Sequence, residues 1–182
     1  MMEVLILLVV LLVAVVWIYN LLVKDRNQVL AAWSDIDVQL KRRHDRIPQL
    51  VTAVKAYSEH EKSLMLAVTE LRSKSESAEH LPEKARIENE IEAAILRLSL
   101  VAEAYPDLKA DENFRQLSEN LSEIENHIQY ARRYYNGAVR IFNTRIQSFP
   151  QTLIAKPFNF QAAEYFEVED QAQRSSPTVE LD

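Results

Sequence analysis

The stretch Trp33–Val51, "WSDIDVQLKRRHDRIPQLV", decides the fold class of this chain. Its apolar residues recur at steps of three, four and seven positions, which places them on one side of a helix. They are Trp33, Ile36, Leu40, Ile47 and Leu50. The charged residues between them fill the other side. Pro48 lacks an N–H group and clashes with the preceding turn, so we expect a kink or a break near residues 45–47.

The composition of the whole chain agrees with a helical protein. The 182 residues include one glycine and no cysteine, and good helix formers such as Leu, Ala, Glu and Arg are abundant. The length predicts one domain. Scarcity of glycine excludes glycine-rich phosphate loops, and absence of cysteine excludes disulfides and thiolate chemistry. A net charge of −6 disfavours nucleic acid as a partner.

The N-terminal region, Val4–Val23, is an uncharged apolar run, "VLILLVVLLVAVVWIYNLLV". As a helix it spans about 30 Å, the thickness of the hydrocarbon core of a bilayer. Nothing basic precedes it and no small-residue cleavage pattern follows, so we expect a retained transmembrane helix. We predict that Trp17, Tyr19, Lys24 and Arg26 anchor one end of this helix at the membrane interface.

Basic residues follow the apolar run but do not precede it. Lys24 and Arg26 come directly after the run, and residues 41–43 add three more basic side chains. The positive-inside rule therefore predicts a short extracytoplasmic N-terminus at residues 1–3 and a cytoplasmic C-terminal bulk. Residues 4–23 would contact the lipid bilayer.

The apolar pattern in the rest of the chain predicts several helices, each of which must pack on the others to bury its apolar stripe. One apolar stripe continues from Trp33 to about Lys74. Residues 73–81 are predicted to form a loop. A second helical stripe follows this loop and ends before Pro106. A heptad seam then runs from Phe114 to Phe149, with Asp111 as its N-terminal cap. We predict an all-α fold in which the transmembrane helix continues into an elongated antiparallel bundle.

The C-terminal part of the chain changes character after the long helix. Its aromatic residues predict a short segment that packs back on the bundle. These residues are Phe158, Phe160, Tyr165 and Phe166. We assign residues 24–168 to the bundle and residues 169–182 to a polar tail that we expect to be flexible.

No cluster in the sequence predicts catalysis, a cofactor or a metal. His60-Glu61 begins like the zinc motif His-Glu-x-x-His, but Leu64 replaces the second histidine. No histidine follows a glutamate at the three-residue spacing of di-iron bundles, and Gly-x-Ser-x-Gly is absent. We therefore predict a non-enzymatic protein without cofactors. An enzyme or ligand-binding bundle of a type that these motifs do not cover is the remaining option.

Three arginines and one aspartate within the stretch Trp33–Val51 form the candidate interaction surface. It consists of Arg42, Arg43, Asp45 and Arg46. On a continuous helix it would stand roughly 25 Å from the bilayer edge, two or three Debye lengths away. A mixed-charge outer face with local ion pairs is the simpler interpretation.

Four longer motifs resemble the LemA family. They are "YNLLVKDRNQVLAAWSDIDVQLKRRHDRIPQLVTAVKAYSEHE" from Tyr19, "YPDLKADENFRQL" from Tyr105, "ARRYYNGAVRIFNTRIQSFP" from Ala131, and "FNF…YFE" ending at Glu167. The resemblance implies a bacterial protein with one N-terminal membrane helix, a cytoplasmic helical bundle and no established enzymatic activity. Relatives are associated with membrane-protease and membrane-stress genes, and one branch with magnetosome membranes. The matching polar positions, to which the family assigns no catalytic role, are Asn27, Asp37, Arg42, Arg43, Asp45, Asn113 and Asn136.

Two functions are consistent with these observations. The first is a scaffold in the bacterial inner membrane that forms homo-oligomers and organises membrane or membrane-protein partners. The alternative is a monomeric adaptor for a membrane protease or a membrane-stress system, with residues 151–182 as the docking segment.

Overall fold

The chain folds into helices, joined by turns and followed by an extended segment, over the residues that the structure describes. A computed structural model describes residues 1–57 and 61–166, and within these ranges it contains no strand. The helices are α1 (Met2–Lys55), α2 (Lys62–Ser77), α3 (Leu81–Glu103), α4 (Pro106–Ala110), α5 (Glu112–Gln147) and α6 (Thr152–Ala155). The predicted all-α class is confirmed, as is an apolar N-terminal helix that leads into a helical bundle. His60 and the predicted polar tail lie outside the described residues.

Helix α1 passes through Pro48 without a break. Pro48 lies on the exposed side of the helix, and its carbonyl oxygen accepts a hydrogen bond of 2.8 Å from the Thr52 hydroxyl. Ile47 and Leu50 are buried on the opposite side. Burying two such side chains stabilises by about 3–6 kcal/mol, which offsets the roughly 3 kcal/mol cost of an internal proline. Of the kink or break predicted near residues 45–47, the break was therefore wrong, because the helix continues to Lys55.

Helices α1 and α5 form the long axis of the bundle and contact each other extensively. The predicted heptad seam of α5 is buried as far as Ile146, whereas its last predicted member, Phe149, lies beyond the end of the helix and is exposed. Its buried members include Phe114, Leu117, Leu121, Ile124, Ile128, Tyr135 and Ala138. The Asp111 side chain accepts a hydrogen bond of 2.9 Å from the Phe114 backbone N–H, as predicted for an N-terminal cap. Helices α2, α3 and α4 cover mainly the half of the axis that contains Ile47 and Leu50, and the first turns of α3 also reach the other half through Ala85.

The other half of the axis is covered by the C-terminal segment, residues 149–166. Phe160 and Phe166 are buried in the same cluster as Ile18 and Leu22 of α1. Two asparagines of α5 hold the extended backbone of this segment through paired hydrogen bonds, Asn143 to Ala163 and Asn136 to Phe166. The predicted packing of this segment on the bundle is confirmed as far as Phe166.

Candidate functional site: a buried ionic cluster and the membrane-facing end

The first turns of α1 are apolar and exposed. Within the described residues, α1 is the one helix that is long and apolar enough to cross a membrane. From Met2 to Trp17 almost every side chain is exposed, whereas Ile18 and Leu22 are buried against the bundle. An uncovered apolar helix of this kind is consistent with membrane anchoring.

The four predicted interface anchors occupy different environments at the end of this exposed run. Trp17 and Lys24 are exposed. The Tyr19 ring packs on Phe158, with ring centroids 4.9 Å apart, and the Arg26 guanidinium lies 5.3 Å from the centre of the Phe160 ring. Tyr19 and Arg26 therefore also hold the C-terminal segment against α1, which the sequence pattern did not predict.

The four residues of the candidate interaction surface lie on two different sides of α1. Arg42, Asp45 and Arg46 are exposed and line a shallow cleft of about 290 Å³ between α1 and α5. Arg43 is 1% exposed and points into the bundle. Its assignment to a surface must be corrected, because it lies three residues after Leu40 and four before Ile47, inside the apolar seam.

Arg43 is the centre of a buried ionic cluster. Its Nη2 atom donates hydrogen bonds to the Glu88 side chain and, at 3.1 Å, to the Glu88 backbone carbonyl. Its Nη1 atom donates to the Glu125 carboxylate at 2.7 Å. Glu88 is fully buried, so this guanidinium and carboxylate are removed from water together. The cluster joins α1, α3 and α5.

Glu88 also forms hydrogen bonds with a serine hydroxyl and a histidine ring. The Ser75 hydroxyl of α2 donates to it, and His44 Nε2 lies 2.8 Å from its Oε1 atom. Burial raises the pKa of Glu88, but the hydrogen bond with His44, the charge of Arg43 and the bond with Ser75 outweigh it and lower that pKa to about 2. Glu88 is therefore a carboxylate at neutral pH, and His44 Nε2 carries the shared hydrogen.

A second ion pair extends the cluster towards the C-terminal segment. Arg132 Nη1 lies 3.4 Å from Glu92 Oε2, and the Arg132 guanidinium lies 4.8 Å from the centre of the Phe166 ring. Burial, followed by the nearby charge of Glu125, raises the pKa of Glu92. Burial, followed by the charge of Arg43, lowers the pKa of Arg132. Both side chains are thus less readily charged here than in water.

The arrangement favours a structural role over a chemical one. The Glu88 carboxylate is hydrogen-bonded to Arg43, His44 and Ser75, and Glu88 is closed to solvent. Within residues 1–57 and 61–166, no three His, Cys, Asp or Glu side chains are placed to hold a metal ion. What the cluster can do is fix the register of four helices, because its partners come from α1, α2, α3 and α5.

Most members of this cluster were missed from the sequence, although their spacing contains a signal. Glu88 precedes Ile91 by three residues and Ile95 by seven, which places it beside the apolar stripe of α3. Arg132 follows Ile128 by four residues and precedes Tyr135 by three, within the seam of α5. Charged residues of opposite sign at seam positions on different helices indicate buried pairs.

Comparisons with known proteins agree with the fold and the motifs. The family model described as "LemA family" matches residues 32–181. Protein LemA of Metamycoplasma hominis is 26% identical over 163 residues, which make up 89% of this chain and 74% of that protein. Magnetosome proteins MamQ 1 and MamQ 2 of Paramagnetospirillum magneticum are each 32% identical over 74 residues, 41% of this chain and 27% of each relative. Because the family model covers well over half of its length, the chain belongs to the LemA family.

Proposed function

We propose that this protein is a non-enzymatic, membrane-anchored helical scaffold that self-associates and organises the membrane or membrane-protein partners. The observation that carries the proposal is the continuity of α1 from Met2 to Lys55. Its first turns are exposed and apolar, and later residues such as Ile36 and Leu50 are fully buried in the bundle. The LemA family is not a known enzyme family, which agrees with this reading.

Continuity of α1 supports a scaffold because it couples the bundle to the bilayer. A flexible linker would let the bundle tumble independently of the membrane. A helix that is uninterrupted across the boundary holds the bundle at one angle instead. Neighbouring copies would then present the same faces to one another, which favours ordered lateral assembly.

One exposed face of α5 suits contact with a second copy. Tyr130, Tyr134 and Ile141 recur at steps of four and seven residues and are exposed, so they share one side of the helix. At its edge, Gln28 of α1 donates a hydrogen bond of 3.0 Å to the Tyr134 hydroxyl. Gly137 lies between Tyr134 and Ile141, and a Cβ atom added there would meet nothing within 4 Å. The glycine leaves room for a second helix to approach closely.

The location that we propose is the bacterial inner membrane, with one span, the N-terminus outside and the bundle in the cytoplasm. Lys24 and Arg26 on the bundle side of the apolar run support this orientation. The resemblance to magnetosome proteins MamQ 1 and MamQ 2, which covers 74 residues, is in keeping with a role at a membrane.

The test is the mass of the full-length protein in mild detergent and in nanodiscs. We expect a discrete oligomer that Ile141→Asp converts to monomer, because a charge on the α5 face would be buried without a partner. Leu66→Asp is the matched control, since Leu66 is an exposed apolar residue on α2, and the oligomer should persist in it.

A wild-type protein that remains monomeric at high concentration in both media would contradict self-association. The adaptor for a membrane protease or membrane-stress system would then be the better proposal, and crosslinking in cells would be used to find its partner. An oligomer that resists Ile141→Asp would retain the scaffold but exclude the α5 face as its interface.

A further inference from the structure

Three large apolar side chains are exposed at the end of the bundle where α1 leaves it. Phe149 is 79% exposed, Leu153 is 61% exposed and Phe158 is 54% exposed. We call these three residues the apolar collar. They lie on the segment that runs from the end of α5 to just beyond α6. Exposed groups of large apolar side chains usually mark an interaction surface.

The collar borders the apolar run of α1. Helix α6 contacts both α1 and α5. The Phe158 ring packs against the Tyr19 ring in a tilted arrangement, and Ala155 is buried in the same cluster as Ile18 and Leu22. The segment that carries the collar therefore covers the last turns of the region that the sequence assigns to the membrane.

The length of the exposed run shows why this position matters. Val4–Trp17, the part of the run that the bundle leaves uncovered, is about 21 Å long as a helix. The hydrocarbon core of a bilayer is about 30 Å thick. The missing length corresponds to residues 18–23, which are the turns that the C-terminal segment covers. If α1 spans a full bilayer, the covering segment must lie at the depth of the membrane surface.

We propose that the apolar collar inserts into the interfacial layer of the lipid bilayer and forms a second membrane contact beside α1. The inference rests on the membrane anchor of the proposed function. Aromatic and leucine side chains favour this layer, and three exposed basic residues nearby can reach the headgroups. These basic residues are Lys24, Arg26 and Lys156.

The depth of the collar is limited by its polar neighbours. Lys156 and Asn159 are exposed on either side of Phe158, so deep insertion would carry a charged and an amide side chain into the hydrocarbon core. The collar therefore stays at the interface. Two contacts at different points around α1 would fix both the tilt of the helix and the rotation of the bundle about it.

The test measures lipid exposure at single positions of the full-length protein. The chain has no cysteine, so a nitroxide label can be attached to one introduced cysteine at a time. Leu153→Cys probes the collar. Leu96→Cys is the matched control, because Leu96 on α3 is also 61% exposed, and Val10→Cys reports the membrane span. Collision rates with oxygen and with a water-soluble nickel chelate are measured in nanodiscs of phosphatidylethanolamine and phosphatidylglycerol.

We expect the label at residue 153 to collide more with oxygen and less with the chelate than the label at residue 96, and to lie at a shallower depth than residue 10. Strong collision with the chelate at residue 153, with residue 10 in lipid, would overturn the collar alone. Low collision with both reagents at residue 153 would mean that protein, such as a second copy, covers it, and would also overturn lipid contact. A chelate-accessible residue 10 would overturn the anchor and the collar together.

Discussion

At the residue scale, the most unusual feature is a fully buried Glu88 bonded to Arg43. Removing two such charges from water is costly, and their attraction offsets that cost only when hydrogen bonds are nearly complete. Here His44 and Ser75 supply the remaining bonds to the carboxylate. A buried pair of this kind adds little net stability but penalises any helix register that separates its members. We infer that the cluster selects the register of α1 against α3.

Glu88→Gln tests this inference. The substitution leaves the Arg43 guanidinium buried with only one carboxylate partner, Glu125. We expect the free energy of unfolding, measured by denaturant titration at neutral pH, to fall by about 3–5 kcal/mol. Glu90→Gln on the exposed face of α3 is the matched control, and we expect it to change stability by no more than about 0.5 kcal/mol.

The effect of Glu88→Gln also has a defined pH dependence. Because the fold lowers the pKa of Glu88 to about 2, its carboxylate stabilises the protein fully above the ordinary pKa of 4.5. That contribution is lost as the pH falls from 4.5 towards 2. The difference between wild type and Glu88→Gln should therefore be constant above pH 4.5 and shrink below it. A difference that is small at neutral pH, or unchanged towards pH 2, would contradict the ionised state of Glu88.

At the scale of elements, two segments show how packing decides local structure. Helix α1 continues through Pro48 because buried side chains on both sides of the proline outweigh its cost. The C-terminal segment has little helix, yet α5 holds it by side chains that replace a strand partner. Asn143 is the clearest example, since its Nδ2 donates to the Ala163 carbonyl and its Oδ1 accepts from the Ala163 N–H, both at 2.8 Å.

Asn143→Ala tests how the C-terminal segment is held. The substitution removes both bonds and leaves the backbone groups of Ala163 without these partners, so we expect a loss of about 1–3 kcal/mol. Hydrogen exchange at residues 160–166 should accelerate more than exchange in α5. Asn120→Ala, on the exposed side of α5, is the control and should leave exchange in this segment unchanged. Equal exchange in Asn143→Ala and wild type would show that the aromatic contacts alone hold the segment.

The elements differ in how far the sequence predicts them. The seam of α5 was predictable because its apolar spacing is regular and Asp111 marks its start. The course of α1 beyond Pro48 was not, since a proline signal is local and the compensating burial comes from other helices. Arg43 was placed on the surface because it was classified by its charge, although its spacing with Leu40 and Ile47 belongs to the seam. Its partners Glu88 and Glu125 are 45 and 82 residues away, so no local pattern could pair them.

At the scale of the whole molecule, α1 connects the exposed apolar run with both halves of the bundle core. Its exposed apolar turns would enter the bilayer, its middle turns pack on α5 and the C-terminal segment, and its last turns complete the core with α2 and α3. The proposed scaffold, the orientation of the bundle and the apolar collar all depend on this helix remaining straight across the membrane boundary. A hinge near Lys24 would uncouple the bundle from the bilayer.

The measurement that tests this claim most directly is a spin-label distance along α1 in nanodiscs. The chain has no native cysteine. Val10→Cys places one label on the exposed apolar turns of α1, and Lys41→Cys places the other on an exposed position of α1 within the bundle. One continuous helix predicts a narrow distribution centred near 46 Å, about 1.5 Å per residue. A broad distribution, or a clearly shorter distance, would show a hinge at the membrane boundary and contradict the rigid coupling on which the scaffold rests.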